Sequence, residues 1–212
     1  MKPWLLKLAL VIAVLSVIIL VTGFAMWRHA PVNLSRSSPL ASAQLLRLWQ
    51  AGEVAVLVRH TERCDQSENP CLGPLDGITR VGNDAAAAVG QDFLKLGMER
   101  ADVISSPITR TAQTSYAMFG KDVKAQEWLA SCGKTLRNDV VAHKRDLHNL
   151  VLITHSGCIS DFEAQTGFRH TAKSKYGSSL FVHIDTQGKL EVLGIVNANE
   201  WNTIFKHQAI QQ

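Results

Sequence analysis

The chain has 212 residues, with 22 lysines and arginines against 18 acidic residues and a formal net charge of +4. This length suits one domain with a substantial hydrophobic core. The charge excess lies entirely in residues 1–43, which hold four basic residues and no acid, so residues 44–212 carry 18 of each sign. A neutral domain lacks the basic surface of a nucleic-acid-binding protein, and no nucleic-acid partner is expected.

The N-terminal part of the chain is strongly apolar. Residues 8–27 are twenty consecutive uncharged residues. As a helix they would span about 30 Å, the thickness of a bilayer's hydrocarbon core. Trp4 and Trp27 bracket the run as interfacial anchors do. The sequence predicts a transmembrane anchor over residues 1–29. The alternative is a cleaved signal peptide, although its candidate cleavage site, 41–43, lies far beyond the apolar run.

Residues 30–43 are rich in serine and proline and are predicted to link this anchor to a folded domain over residues 44–212. Along that domain, short apolar strands alternate with helices, which predicts a three-layer α/β/α sandwich with a mostly parallel sheet. The predicted strands cover 54–58, 101–105, 123–129 and 150–154, followed by a hairpin of 178–185 and 189–196. The predicted helices cover 42–51, 79–96, 108–119, 134–148 and 159–166.

The domain contains four cysteines, an even number: Cys64, Cys71, Cys132 and Cys158. Outside the cytoplasm they would be expected to form two disulfides, whereas a cytosolic enzyme would be expected to keep four thiols. No Cys-x-x-Cys pair occurs, so a zinc site is not expected.

Polar residues follow three of the predicted strands. Arg59 and His60 follow the first, Arg110 lies shortly after the second, and His155 follows the third. Because ligands of α/β proteins bind outside the carboxyl ends of the strands, these side chains could share one crevice. An imidazole beside the guanidinium groups of Arg59 and Arg63 suits a phosphate. The alternatives are a backbone-bonded His155 and an Arg110 on a solvated helix face.

Four segments, in chain order, resemble the motifs of the histidine phosphatase superfamily. They are Arg59-His60-Thr61-Glu62, Ile78-Thr79-Arg80-Val81-Gly82, the run 105–114 (Ser-Ser-Pro-Ile-Thr-Arg-Thr-Ala-Gln-Thr), and Ile153-Thr154-His155-Ser156-Gly157. Together they extend over most of residues 53–196. Thr61 stands where the family has glycine.

The resemblance implies a phosphohistidine mechanism. His60 would attack phosphorus and form a covalent intermediate that water hydrolyses. Arg59, Arg110 and His155 would bind the phosphoryl oxygens and stabilise their charge, and Arg63 would join the pocket. The resemblance implies neither a metal nor another cofactor.

The proton donor to the leaving group is less clear from the motifs. Many members of the superfamily place a glutamate between the second arginine and the second histidine, where this chain has Ser131. The acid-phosphatase branch uses an aspartate after the second histidine, where this chain has Ser156. Glu127 is retained as the candidate donor, with Asp65 and Asp161 as alternatives.

The N-terminal apolar segment, both histidines and the cysteines also resemble one branch, the lipopolysaccharide core heptose phosphate phosphatases. This implies a phosphorylated glycan substrate and a periplasmic domain, anchored in the bacterial inner membrane or secreted after signal cleavage. In that arrangement Cys64 and Cys71 would close the loop beside the nucleophile. Cys132 and Cys158 would fix the wall near His155.

Two other functions remain open. One is a phosphohistidine or small-phosphoester phosphatase, for which a missing acid would matter less because the leaving group is good. The other is a non-catalytic phosphoglycan-binding module that keeps the arginine pocket.

Overall fold

The computed structural model of the protein describes residues 3–26, 30–168 and 172–209. The strands are β1 (Val54–Arg59), β2 (Ala101–Ser105), β3 (Lys124–Ala125), β4 (Asn149–Thr154), β5 (Ser179–Ile184) and β6 (Leu190–Val196). The α-helices are α1 (Pro3–Met26), α2 (Pro39–Ala51), α3 (Arg80–Leu96), α4 (Thr109–Phe119), α5 (Leu136–His143), α6 (Ser156–Gln165) and α7 (Trp201–Ala209). Short 3-10 helices cover Leu34–Arg36, Cys64–Gln66 and Glu127–Leu129.

The strands form one mixed sheet in the order β3-β2-β4-β1-β5-β6. The four strands from β3 to β1 run parallel, and the β5–β6 hairpin adds antiparallel to β1. Helices cover both faces, so the predicted three-layer α/β architecture with a mostly parallel sheet is confirmed.

The sheet separates two hydrophobic clusters. Val54, Val56 and Val58 of β1 point into the cluster formed with α2, α3, α4 and α7. Ala55 and Leu57 point into the cluster formed with α5 and α6. This alternation follows from the two-residue period of a strand, and it explains why the central strand β1 is apolar at every position before Arg59.

The N-terminal segment does not provide support for the predicted anchor. In the described part of the chain, no helix combines the length and the apolarity that crossing a membrane requires. Trp27 and part of the predicted span 1–29 lie outside the described residues.

The prediction that residues 30–43 form a linker is wrong from about residue 32 onwards. Leu34 is 1 % exposed and packs in the core, and the Ile195 N–H donates to the Val32 carbonyl at 2.8 Å. Gly194 makes this packing possible, because a Cβ there would lie 2.8 Å from Leu34 Cγ. Pro39 occupies the first turn of α2, where the missing N–H costs nothing, so proline marks a helix start in this segment.

Other boundaries differ locally from those predicted. The helix expected over 134–148 ends at His143, and Leu147 adopts a positive φ of 56°. The strand expected over 123–129 shortens to two residues, followed by the 3-10 helix at 127–129. By contrast, both ends of α3 are as predicted. The helix begins after Thr79, whose hydroxyl accepts from the Gly82 N–H, and Gly97 caps its C-terminal end. Helix α7 was not predicted.

Candidate active site

The sheet brings three strand ends together. In the parallel register, Ile153 of β4 lies between Val58 of β1 and Ser105 of β2. The His60 N–H then donates to the Thr154 carbonyl, and the Ser106 N–H to the Ile153 carbonyl, each at 2.9 Å. His60, Ser106 and His155 therefore leave the sheet at one edge. The three strand ends lie side by side, as the sequence predicted.

The His60 ring is buried, with 3 % of the residue exposed. Its Nδ1 lies 2.7 Å from the Thr61 carbonyl oxygen. A carbonyl oxygen only accepts, so Nδ1 carries the proton and Nε2 carries the lone pair. Burial lowers the pKa of His60 to about 3; the hydrogen bond to Thr61 opposes this, and the neighbouring His155, Arg59 and Arg110 would repel a proton on the ring and lower the pKa further. The ring is therefore neutral at physiological pH, as a nitrogen nucleophile must be.

His155 lies beside it, with 5.4 Å between the two ring centroids. Its Nε2 is 3.0 Å from the Ser106 hydroxyl, which also accepts from the Ile108 N–H. The serine hydroxyl can donate to Nε2, and in that arrangement the ring proton lies on Nδ1. That Nδ1 is buried and has no hydrogen-bond partner in the described part of the chain. Burial lowers the pKa of His155 to about 4, followed by the effects of Arg110, Arg63 and Arg59.

Arg59 ends β1 with only 6 % of its surface exposed. Its guanidinium donates to the Ser174 carbonyl and lies over the Tyr176 ring, 3.8 Å from the ring centroid. Its Nε is buried and unpaired among the described residues. Burial lowers the pKa of Arg59. A buried cation with a free N–H has unused capacity to bind an anion.

Arg110 and Arg63 complete the cationic side of the site. Arg110 lies in the first turn of α4, and its Nε is also buried without a partner among the residues described. Burial, followed by the nearby charge of Arg63, lowers its pKa. The Arg63 guanidinium forms a two-point ion pair with Asp65, which raises the pKa of Arg63. Arg63 is thus partly neutralised before a ligand binds.

None of the three carboxylates predicted as proton donors is hydrogen-bonded to either histidine within the described residues. The hydrogen bond to Arg63 lowers the pKa of Asp65, so Asp65 is a poor acid, and Asp161 is exposed on α6. Glu127 is exposed at the start of the 3-10 helix that follows β3. In the described residues, the side-chain hydrogen bonds of His60 and His155 go to Thr61 and Ser106 and not to a carboxylate. The donor role of Glu127 stays a prediction.

Two disulfides flank the site, with the predicted pairing: Cys64 with Cys71, and Cys132 with Cys158. The first closes the loop that directly follows Arg63. The second joins α6, three residues after His155, to the segment after the 3-10 helix at 127–129. The Leu129 carbonyl, at the end of that 3-10 helix, accepts from the Thr154 hydroxyl at 2.8 Å.

Sequence reasoning missed three contacts of the site: those of Ser174, Tyr176 and Thr114. Ser174 and Tyr176 both touch Arg59 from a segment more than 110 residues away, and no local pattern marks them. Thr114 lies within the third motif, and its hydroxyl accepts from the Thr61 N–H at 3.1 Å. The motif could have signalled this role, since it ends in threonine. The described residues contain no group of three or more potential ligands placed to hold a metal ion.

Comparison with known proteins adds relatives in both sequence and fold. No family model matches the chain. It is 31% identical over 173 residues to a lipopolysaccharide core heptose(II)-phosphate phosphatase of Escherichia coli O9:H4 (strain HS), covering 78% of this chain and 83% of the relative. The fold resembles a phosphoserine phosphatase mutant from Entamoeba histolytica (TM-score 0.53, 15% identity, 69% of this chain and 98% of that one). It also resembles the protein histidine phosphatase SixA complexed with tungstate (TM-score 0.54, 15% identity, 68% and 97%).

Proposed function

Since the chain belongs to the lipopolysaccharide core heptose(II)-phosphate phosphatases, within the histidine phosphatase superfamily, we propose that it removes phosphate from a core heptose through a phosphohistidine on His60. The enzyme is a phosphoric monoester hydrolase. The observation that carries the proposed mechanism is the neutral His60 ring, with Nδ1 held by the Thr61 carbonyl and Nε2 left as the nucleophile.

In the proposed first step, His60 Nε2 forms a bond to phosphorus while the bond from phosphorus to the sugar oxygen breaks. The sugar oxygen takes up a proton from a general acid, for which Glu127 is the candidate, or from water as it leaves. In the second step, water attacks phosphorus and returns a proton to the same source, the N–P bond breaks, and inorganic phosphate departs to leave a neutral imidazole. Together, the two steps replace one difficult displacement by two easier ones at the same phosphorus.

Charge stabilisation comes from the groups that lack partners. The unpaired Nε atoms of Arg59 and Arg110 and the free Nδ1 of His155 are buried donors around His60. Donors already fixed in a site of low dielectric stabilise developing oxyanion charge without reorganisation. Arg63 would contribute less, because Asp65 already binds it. These four groups are the proposed phosphate pocket.

The substrate assignment rests on the relative's name, and it goes with a proposed position of the domain in the cell. The disulfides favour an oxidising compartment, and the bacterial periplasm is one. We therefore assign the domain to the periplasm, reached by export through the apolar N-terminal segment. Cell fractionation with an oxidation-state assay of the four cysteines tests this, and a cytoplasmic protein with four free thiols would contradict it.

The chemistry is tested with p-nitrophenyl phosphate as the substrate. His60→Ala should abolish turnover, and wild-type enzyme quenched during turnover should carry acid-labile phosphate on His60. The matched control is His183→Ala, because His183 pairs with Glu53 at the opposite end of the sheet. Equal activity in His60→Ala and wild type would overturn the nucleophile assignment.

The substrate is tested by mass spectrometry of lipopolysaccharide from cells with and without the protein. The proposal predicts loss of one core phosphate when wild-type protein is present, and no loss with His60→Ala. Unchanged core phosphate in both would overturn the heptose assignment while leaving the phosphatase chemistry intact.

A small phosphoester with a good leaving group is the second candidate substrate. In the described residues, carboxylates stay out of the hydrogen bonds of His60 and His155, and an aryl phosphate or phosphohistidine leaves without strong proton donation. Comparing kcat/KM for an aryl and an alkyl phosphate separates the candidates, since only a small-ester enzyme would be restricted to the aryl ester.

A further inference from the structure

Tyr176 contacts the site from outside the recognised motifs. Its ring centroid lies 3.8 Å from the guanidinium carbon of Arg59 and 5.7 Å from the ring centroid of His60. The chain has only one other tyrosine, Tyr116, which is 56% exposed on α4. Tyr176 is half-buried, so the ring forms a wall of the site with one side open to solvent.

The Arg59 guanidinium has few other restraints. It donates to the Ser174 carbonyl and interacts with the Tyr176 hydroxyl, and its Nε has no partner among the described residues. Contacts at the edge of a planar group leave its tilt largely free. An aromatic face against that plane restrains the tilt, because a guanidinium stacks flat on an aromatic ring.

The Tyr176 ring is itself held from two directions. Its hydroxyl lies 3.3 Å from Gln66 Oε1, in the loop closed by Cys64 and Cys71. On the other side, the Gly177 N–H donates to the Arg59 carbonyl at 3.2 Å. Gly177 has φ +68°, and a Cβ there would lie 3.0 Å from Ala198 Cβ, so glycine is required at this turn.

We propose that Tyr176 is a positioning residue that holds the Arg59 guanidinium flat, with its unpaired Nε directed at the phosphoryl group. The proposal rests on the proposed function in one respect, namely that Arg59 binds phosphate. It adds a residue that sets how well Arg59 does so. Its effect should appear with any phosphomonoester and with inorganic phosphate, because the contact is to the arginine.

The first test compares Tyr176→Phe with Tyr176→Leu. Phe keeps the ring and loses the hydroxyl, which reaches Gln66 and interacts with Arg59. If the ring face is what orients Arg59, phosphate affinity measured by calorimetry should stay within about 3-fold of wild type. Leu removes the ring, and affinity for inorganic phosphate and kcat/KM for p-nitrophenyl phosphate should both fall about 10-fold. Tyr116→Leu is the matched control and should leave both unchanged. Equal losses in Phe and Leu, or none in Leu, would overturn the proposal.

A double-mutant cycle asks whether the effect passes through Arg59. In an Arg59→Lys background, where position 59 carries no planar cation, Tyr176→Leu should cost less than about 2-fold in phosphate affinity. The same 10-fold loss in both backgrounds would show that Tyr176 acts independently of Arg59 and would overturn the proposal.

A fluorinated phenylalanine series at position 176 gives the same answer if Tyr176→Leu fails to fold. Fluorine withdraws electron density from the ring face while changing its shape little, so phosphate affinity should fall with each added fluorine. A flat series would overturn the proposal. Since the phosphate measurements need no glycan, unchanged lipopolysaccharide would refute the heptose substrate and leave this inference standing.

Discussion

The imidazole rings of His60 and His155 meet edge to face, with 5.4 Å between their centroids. Each ring is polarised by a neighbour outside the pair, His60 by the Thr61 carbonyl and His155 by the Ser106 hydroxyl. Burial keeps both neutral in the folded protein, so the pair can lie this close without charge repulsion. The arrangement links the chemistry of the site to the stability of the fold.

The first prediction concerns that stability at acid pH. In the unfolded chain both histidines take up a proton below about pH 6.5. In the folded protein their pKa values are about 3 and about 4. Between the folded and unfolded pKa values, unfolding therefore binds protons. In that range the free energy of unfolding falls by about 1.4 kcal/mol for each unit by which the pH is lowered, for each histidine. Urea unfolding from pH 7 to pH 5 measures this slope.

His60→Gln and His155→Gln should each make the slope shallower, because each removes one group that protonates on unfolding. His183→Gln is the control. A wild-type slope in both His60→Gln and His155→Gln would contradict the lowered pKa values.

The second prediction separates the two disulfides. The residues of the Cys132–Cys158 pair are 26 apart and those of the Cys64–Cys71 pair are 7 apart. A longer closed loop constrains the unfolded chain more. Replacing Cys132 and Cys158 by serine should therefore lower the free energy of unfolding by about 3.5 kcal/mol, and replacing Cys64 and Cys71 should lower it by about 2.4 kcal/mol.

Activity should show the reverse order. The loop closed by Cys64 and Cys71 carries Gln66, which contacts Tyr176, and begins directly after Arg63. Its serine variant should therefore lose more kcat/KM on p-nitrophenyl phosphate. The same ranking in stability and activity would mean that the loop has no special role in the site.

The third prediction tests the contact between α3 and α4. At Gly90 a Cβ would lie 2.1 Å from the Met118 carbonyl oxygen, a clash that only backbone movement relieves. Gly90→Ala should lower the free energy of unfolding by about 2 kcal/mol or more. At Gly133 a Cβ would meet nothing within 4 Å, so Gly133→Ala should change the free energy of unfolding by less than about 0.5 kcal/mol. Thermal unfolding of both variants decides the point, and similar values would refute close helix contact as the reason for Gly90.

The fourth prediction addresses proton donation by Glu127. As the donor, it would assist the departure of an alkoxide and matter little for a nitrophenolate. Glu127→Gln should then lower kcat about 100-fold on an alkyl phosphate and hardly at all on p-nitrophenyl phosphate. Glu99→Gln is the matched control, since Glu99 is also exposed and lies just before β2, at the strand end opposite the site. Equal effects on the two substrates, or none, would remove Glu127 from the mechanism.

The predictions that succeeded rest on local patterns. β1, β2 and β4 are short apolar runs, and the polar residues at their ends show where the chain enters the site. Thr79 and Gly97 bound α3 by capping rules that need no tertiary information. Because parallel strands bring their carboxyl ends to one edge, these local features sufficed to bring His60 and His155 together.

The predictions that failed depend on contacts between distant residues. Leu34 packs into space left by Gly194, so a serine- and proline-rich stretch is part of the domain and not a linker. Tyr176 lies beside Arg59 only after β5 has paired with β1. Neither relationship has a period or a spacing that a sequence pattern could reveal.

The attachment of Arg59 to Ser174 and Tyr176 has a consequence for how this enzyme can diverge. The strand ends supply the phosphate chemistry, while the segment 172–178 lies outside the sheet and meets them at a few points. Exposed positions of that segment, such as Lys173 and Lys175, can change without disturbing the strands. Natural selection can thus vary this part of the surface while the strand-end residues of the site are inherited unchanged.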